Sequence, residues 1–157
     1  MSIWIGVDPG AKGGMAAIYT DENGVQKVAV AGWDNELFVN FCKSFKGIAD
    51  AKGEQVVAAV EKVGAVHGNG IVSSFSFGKS AGFIEGVLSA LNIGYQLVPP
   101  RKWKDMFSLN SDKAKSIEVC KHLYPDVSLK RTERCKTDSD GLAESLLIAT
   151  WCRRTMK

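Results

Sequence analysis

The chain contains 157 residues, of which 45% are hydrophobic and 24% are charged. This composition is typical of one globular domain, which we expect to span residues 1–157 and to bury about two thirds of its unfolded surface. No apolar run approaches the roughly 18 residues of a membrane span, no secretory signal is recognisable, and the four cysteines form no CxxC pair. We therefore expect a reducing compartment, without disulfides or structural zinc: the cytoplasm, an organelle or the cytosol of a virus-infected cell.

The formal net charge of +3 is unevenly distributed along the chain. Residues 1–100 carry 7 lysines and arginines against 9 acids, a net charge of −2, whereas residues 101–157 carry 13 against 8, a net charge of +5. A basic C-terminal third predicts a polyanionic partner such as nucleic acid. A solvated basic helix surface would give the same imbalance, so charge alone leaves both interpretations open.

The N-terminal part is predicted to form three antiparallel strands over residues 2–8, 14–20 and 25–31. The first strand is apolar, ends on Asp8 and is followed by a Pro-Gly turn, while residues 21–24 form a hairpin turn. A carboxylate at the end of a buried strand is often aimed at a metal or a phosphate. Asp8 could equally cap the turn, so its role depends on whether other acids reach the same place.

A second acid follows a second buried strand. After a helix that Asp34 is expected to cap, residues 56–60 form an uninterrupted apolar run that ends at Glu61. Such runs are typical of strands buried on both faces, and a right-handed crossover would lay this strand parallel to the first. Asp8 and Glu61 would then lie side by side at the same edge of the sheet.

The middle of the chain combines apolar and basic elements. Residues 72–91 are predicted to form a helix whose wide apolar surface indicates either simple burial or a subunit interface. A fifth strand over residues 94–98 is stopped by two prolines, and three cations then surround Trp103. A helix over residues 111–124 and a basic connector over residues 129–137 follow. The cations are candidates for phosphate contacts, and Trp103 is a candidate either for stacking on a base or for the core.

The final helix is predicted to begin near Asp138 and Asp140 and carries Glu144 one turn later. Acids in a first helical turn are explained by capping and by the helix dipole, but Glu144 is not. Asp140 and Glu144 are four residues apart and share one face, where two carboxylates repel each other unless a cation or a proton lies between them.

Together these elements predict an α/β fold with a mixed five-stranded sheet in the order 3-2-1-4-5, flanked by helices in the ribonuclease H-like arrangement. Phosphodiester hydrolysis requires an activated water and a stabilised leaving oxygen, which two Mg²⁺ ions about 4 Å apart can supply when hard oxygen ligands hold them. The two histidines lack partners at metal-ligand spacing, and neither GxGxxG nor GxxxxGK[ST] occurs. The candidate catalytic and metal-binding residues are Asp8, Glu61, Asp140 and Glu144.

The chain resembles the RuvC-type Holliday junction resolvases, and more closely their phage and chloroplast branch. The resemblance covers nearly the whole chain, and its five blocks are specific in this order although the first is weak alone. The blocks are Gly6-Val7-Asp8-Pro9-Gly10 with Gly13-Gly14, Val60-Glu61, the segment 74–82, the segment 98–104 and the segment 140–149. The last block departs from the paired aspartates at i, i+3 of the bacterial proteins, so the fourth metal ligand stays open between Asp140 and Asp138.

The resemblance implies a homodimeric, Mg²⁺-dependent endonuclease, with Mn²⁺ as a substitute, that cuts four-way DNA junctions symmetrically in recombination and repair. It implies metal-binding roles for Asp8, Glu61 and Glu144, a dimer helix at residues 72–91 and a junction-probing loop at residues 64–73. Lys113 resembles a basic residue near the scissile phosphate. The expected DNA-binding residues are Lys79, Arg101, Lys102, Trp103, Lys104, Lys113, Lys130, Arg131 and Lys136.

Three other interpretations are compatible with parts of the sequence. A ribonuclease H-like nuclease acting on another branched or hybrid substrate is the nearest to the leading one. A non-catalytic junction-binding protein would share the fold, but it gains nothing from carboxylates that repel phosphate. A sugar kinase or actin-like ATPase shares the strand-turn-strand start but needs two such domains around its nucleotide, and this chain provides one.

Overall fold

The computed structural model of the protein describes residues 2–64 and 70–156. These residues form one five-stranded sheet and five helices. The strands are β1 (Ser2–Asp8), β2 (Gly14–Thr20), β3 (Gln26–Ala31), β4 (Gln55–Glu61) and β5 (Gly94–Val98). The helices are α1 (Asn35–Lys52), α2 (Ile71–Ala90), α3 (Pro100–Met106), α4 (Lys113–Leu123) and α5 (Asp140–Thr155).

The sheet order is β3-β2-β1-β4-β5, which confirms the predicted arrangement. The first three strands are antiparallel neighbours, whereas β1 pairs with β4 and β4 pairs with β5 in parallel. The bounds of the five strands, of α2 and of α4 lie within two residues of those predicted. The parallel pairing follows from α1, the helical crossover that returns the chain to the same end of the sheet.

The register of the parallel strands brings two carboxylates to one edge. Val7 lies opposite Val60, so Asp8 and Glu61 terminate neighbouring strands at the same level. Side chains alternate between the two faces of a sheet. Ile3, Ile5 and Val7 pack with α1 and α2 on one face, and Asp8 therefore points to the other face, toward α5.

The face toward α5 is closely packed. A β carbon on Gly6 would lie 2.2 Å from the backbone nitrogen of Ala149 and 2.2 Å from the carbonyl oxygen of Ser145, so only glycine lets α5 approach β1 this closely. At the start of α5, a β carbon on Gly141 would lie 1.9 Å from the carbonyl oxygen of Lys12. The acids of α5 are thereby held against the end of β1.

Helix α5 is buried around its whole circumference. Every residue from Gly141 to Cys152 is buried, because α5 lies on the sheet and is covered from outside by α3 and α4. Its buried hydroxyl groups have partners. Ser145, which faces the sheet beside Gly14, donates to the carbonyl of Leu142. The Thr150 hydroxyl shares a hydrogen bond with that of Tyr124 at 2.8 Å.

Candidate active site

Four carboxylates from three separate segments line one cleft of about 630 Å³. Asp8 and Glu61 enter it from the ends of β1 and β4, and Asp140 and Glu144 enter it from the first two turns of α5. Three lysines also line the cleft: Lys12 from the turn after β1, Lys104 from α3 and Lys113 from α4. The structure thus brings together the four acids that the sequence singles out as candidate ligands.

Asp8 is fixed by the turn that follows it and by a tryptophan. The backbone N–H of Gly10 donates to Oδ1 of Asp8 at 3.2 Å, and Nε1 of Trp33 donates to its backbone carbonyl at 3.0 Å. Burial raises the pKa of the Asp8 carboxyl, and the charge of Asp140 acts in the same direction. The Gly10 hydrogen bond opposes this shift because it stabilises the ionised form.

Glu61 is held by Trp103, whose Nε1 donates to Oε2 of Glu61 at 2.8 Å. Burial, reinforced by the negative charge of Asp8, raises the pKa of Glu61 to about 7. The Trp103 hydrogen bond and the positive charge of Lys104 oppose the shift. Glu61 is therefore close to half-ionised near neutral pH when no cation is bound.

Glu144 is the most deeply buried of the four acids, with 9% of its surface exposed. Burial and the charges of Asp8 and Glu61 raise the pKa of Glu144 to about 8. The two carboxyl groups of Asp8 and Glu144 are close enough that each shifts the pKa of the other. Crowding of these acids therefore opposes the ionisation of Glu144.

The cleft has the donor chemistry of a site for hard divalent cations. Carboxylate oxygens are the ligands that Mg²⁺ prefers, and the mutual repulsion of four such groups is relieved by bound positive charge. Within residues 2–64 and 70–156, however, no three acidic, histidine or cysteine side chains converge closely enough to hold one ion as they stand. Ligation would require side-chain rotations that draw the carboxylates together.

The two candidates for the fourth ligand occupy different places. Asp140 lines the cleft and forms an ion pair with Lys113, whose Nζ lies 3.2 Å from Oδ2 of Asp140. Asp138 instead lines a neighbouring cavity of about 180 Å³ and pairs with Lys121 at 2.5 Å. Only Asp140 is thus in position to act with the other three acids.

The structure corrects the prediction that Trp103 contacts DNA. Its side chain is 0% exposed and belongs to the core between the sheet, α3 and α5, so it cannot stack on a base. The alternative, a core position, is correct. Helix α3 exposes Arg101, Lys102 and Asp105, whereas the ring of Trp103 faces the core.

The predicted DNA-binding cations divide into three groups by their surroundings. Lys104 and Lys113 lie in the cleft itself. Arg131 donates from its guanidinium to the backbone carbonyls of Lys12 and Gly13, so it braces the turn after Asp8. The third group is exposed on other surfaces and consists of Lys79, Arg101, Lys102, Lys130 and Lys136.

The cleft also contains side chains that the sequence interpretation did not select, including those of Lys12, Ser111 and Phe77. Lys12 lies in the turn after Asp8, Ser111 precedes α4, and Phe77 lies on the second turn of α2. Lys12 follows the Asp-Pro-Gly turn so closely that its position was a usable signal. The sequence contains no such signal for Phe77, because it is one of many apolar residues in α2.

Half of the expected junction-probing loop at residues 64–73 lies outside the described residues, which omit 65–69. The part that is described begins α2 and exposes large apolar side chains. Ile71 is 90% exposed, Val72 is 80% exposed and Phe75 is 72% exposed. Along the described chain, no helix is long and apolar enough to cross a membrane.

The sheet order, the helix placement and the cleft at the ends of β1 and β4 define a ribonuclease H-like fold, in the form found in RuvC. Solved structures that the chain resembles include Thermus thermophilus RuvC, with 16% identity, a TM-score of 0.57 and coverage of 97% of this chain and 95% of that one. T. thermophilus RuvC in complex with a Holliday junction substrate gives 12% identity, a TM-score of 0.59 and coverage of 98% and 96%. The yeast mitochondrial Holliday junction resolvase Ydc2 gives 16% identity, a TM-score of 0.46 and coverage of 93% and 75%. No family model and no curated protein sequence matches the chain.

Proposed function

We propose that this protein is a structure-selective DNA endonuclease that resolves four-way junctions by Mg²⁺-dependent hydrolysis of phosphodiester bonds. The observation that carries the proposal is the convergence of Asp8, Glu61, Asp140 and Glu144 on one cleft. Buried carboxylates that raise one another's pKa are costly to keep without a function for them. The RuvC form of the fold and a junction-bound RuvC among its structural neighbours support DNA junctions as the substrate.

The four acids would hold the metal, and the donor set fits Mg²⁺ because it consists of carboxylate oxygens alone. Asp8 lies between Glu61 and the two acids of α5, which suits a ligand shared by two ions. When bound, Mg²⁺ lowers the pKa of a coordinated water and neutralises charge on the leaving oxygen. Because the pKa of Glu144 is raised to about 8 and a ligand carboxyl must be ionised, metal binding near neutral pH would also release a proton.

The lysines of the cleft would bind the substrate. Lys113 pairs with Asp140, and 75% of its side chain is exposed, so it can exchange this contact for a phosphate oxygen. Lys104 faces Glu61 and Glu144 from α3 and adds positive charge on the opposite side of the cleft. A phosphodiester would therefore be held between cations from α3 and α4 directly above the acids.

A homodimer would account for symmetric cutting, since two strands of a junction require two sites. The first turns of α2 expose Ile71, Val72 and Phe75 beside this cleft. A contiguous apolar surface of this kind is typical of an interaction site. We propose that α2 contacts its counterpart in a second copy of the chain.

The experiment that tests the function uses a synthetic mobile four-way junction with Mg²⁺, and maps cuts on all four strands. Paired nicks at symmetric positions near the crossover are expected. Cuts confined to hybrid or flap substrates would favour another ribonuclease H-like nuclease, and binding without cleavage would favour an architectural protein.

The Asp8→Asn variant tests the metal site within the same assay. We expect cleavage to fall by more than about 100-fold, because loss of residues that merely support metal ligands already costs 10–100-fold. Junction binding should persist, because Asp8 offers no positive charge to phosphate. Asp126→Asn, which changes an exposed loop acid, is the matched control and should cleave normally. If Asp8→Asn cleaved junctions at the wild-type rate, the cleft around Asp8 could not be the catalytic site.

A further inference from the structure

A fully buried tryptophan touches one of the four acids of the cleft. Nε1 of Trp103 donates to Oε2 of Glu61 at 2.8 Å, and the side chain of Trp103 is 0% exposed. An indole has one donor and no acceptor, and a buried indole usually finds a single partner for its N–H. Trp103 uses its single donor on the carboxylate of Glu61.

The surroundings of Trp103 fix its direction. Val98, at the end of β5, lies opposite Glu61 in the sheet, and α3 begins immediately after it. Trp103 is thereby carried back over the end of β4 and is packed in the core with α5. Lys104, the next residue, places its Nζ 5.5 Å from the centre of the Trp103 ring, on the side of the cleft. The ring cannot turn away without opening the core.

We propose that Trp103 is a positioning residue that holds one oxygen of Glu61, so that Glu61 offers only its Oε1 to a cation in the cleft. This inference rests on the proposed metal-dependent function. Glu61 would then bind a cation through one oxygen, because the fixed N–H of Trp103 occupies its Oε2. Supporting hydrogen bonds of this kind orient ligands before the ion arrives and thereby strengthen metal binding.

The test compares Trp103→Phe with Trp4→Phe by titrating the metal-free proteins with Mg²⁺ in a calorimeter, without DNA. Trp4 also donates through Nε1, to the carbonyl of Met156 at 3.2 Å, but lies at the far end of β1. Each variant therefore loses one indole N–H and some ring volume. We expect Trp103→Phe to weaken Mg²⁺ binding by about 10–100-fold and Trp4→Phe to leave it unchanged.

Cleavage of a four-way junction gives the second readout. For Trp103→Phe, the Mg²⁺ concentration for half-maximal cleavage should rise with the dissociation constant, while the rate at saturating Mg²⁺ should largely recover. A merely structural role would lower the amount of active protein without moving the Mg²⁺ midpoint. An unmoved midpoint together with wild-type Mg²⁺ affinity would overturn the assignment.

Two further outcomes are distinguishable. If Trp103→Phe does not fold, benzothienylalanine introduced at position 103 keeps the shape of the ring, replaces the N–H by sulfur, and should weaken Mg²⁺ binding in the same way. Unchanged affinity in that protein would again overturn the inference. Wild-type protein that neither binds Mg²⁺ nor cuts junctions would refute the proposed function itself, and the inference with it.

Discussion

Replacement of Glu144 by glutamine should stabilise the metal-free protein at alkaline pH, although it removes a proposed catalytic residue. Glutamine keeps the shape of the side chain and resembles the protonated acid, but it cannot ionise. Glu144 is buried beside Asp8 and Glu61, which raises its pKa from 4.5 to about 8. The variant therefore isolates the free energy of ionising this group inside the fold.

The sign follows from proton binding in the two states. Between pH 4.5 and about 8, folded Glu144 is protonated whereas the same group in the unfolded chain is ionised. The folded state then binds more protons, so its stability falls as the pH rises through this interval. The contribution of protonated Glu144 to the stability of the fold is complete below pH 4.5 and lost above about pH 8. Glu144→Gln has no such dependence at this position.

The size of the effect follows from the same pKa. A tenfold change in proton affinity corresponds to about 1.4 kcal/mol, which sets a ceiling of about 5 kcal/mol for Glu144. Because the cleft admits water, we expect about 2 kcal/mol. Urea denaturation in EDTA should show the two proteins equally stable near pH 5 and Glu144→Gln more stable by this amount at pH 9.

Magnesium and a control variant complete the test. Saturating Mg²⁺ should abolish or reverse the difference at pH 9, because it stabilises the ionised wild-type site. Glu118→Gln, which changes an exposed acid of α4, should match the wild-type protein throughout. If Glu144→Gln were no more stable than the wild-type protein at pH 9 in EDTA, ionised Glu144 would not destabilise the fold and the argument would be wrong.

Two further predictions concern the elements that hold the site. Gly6→Ala should cost about 3 kcal/mol or more of unfolding free energy, since its β carbon meets the backbone of α5 at 2.2 Å and overpacking of this kind is among the more severe. Gly47→Ala, in open space on α1, should instead stabilise by about 1 kcal/mol through helix propensity; equal effects in urea denaturation would contradict the packing argument. Arg131→Ala should lower stability by about 1 kcal/mol and slow junction cleavage at low salt and at high salt alike, because it releases the turn after Asp8. Arg134→Ala removes a nearby exposed cation, so its effect on the cleavage rate should change with the salt concentration. If the two variants responded to salt identically, Arg131 would not brace the turn.

The sheet and the placement of Asp8 beside Glu61 were predictable because they follow from local patterns and a chirality rule. Asp8 and Glu61 each end an apolar strand, and the right-handed crossover leaves little freedom in how those strands pair. Helical spacing places Asp140 and Glu144 on one face of α5. That this face meets Asp8 and Glu61 was predictable only from the ribonuclease H-like order of the elements, because it depends on how α5 packs on β1.

The remaining features depend on contacts between distant segments. Thr150 of α5 is a residue that a sequence pattern assigns to solvent, yet it is buried and shares a hydrogen bond with Tyr124 at the end of α4. Trp103 lies among three cations, and only the docking of α3 against α5 reveals that its ring turns inward. Arg131 contacts carbonyls 118 and 119 residues away, and no periodicity reports such a contact.

The burial of α5 on all sides has a consequence for how the protein would lose activity on heating. Many enzymes inactivate before they melt, because their active sites lie on loops that open first. Here half of the candidate ligands lie on the helix that forms the centre of the core. Loss of the metal site and collapse of the tertiary structure should therefore occur at the same temperature, as a single cooperative event.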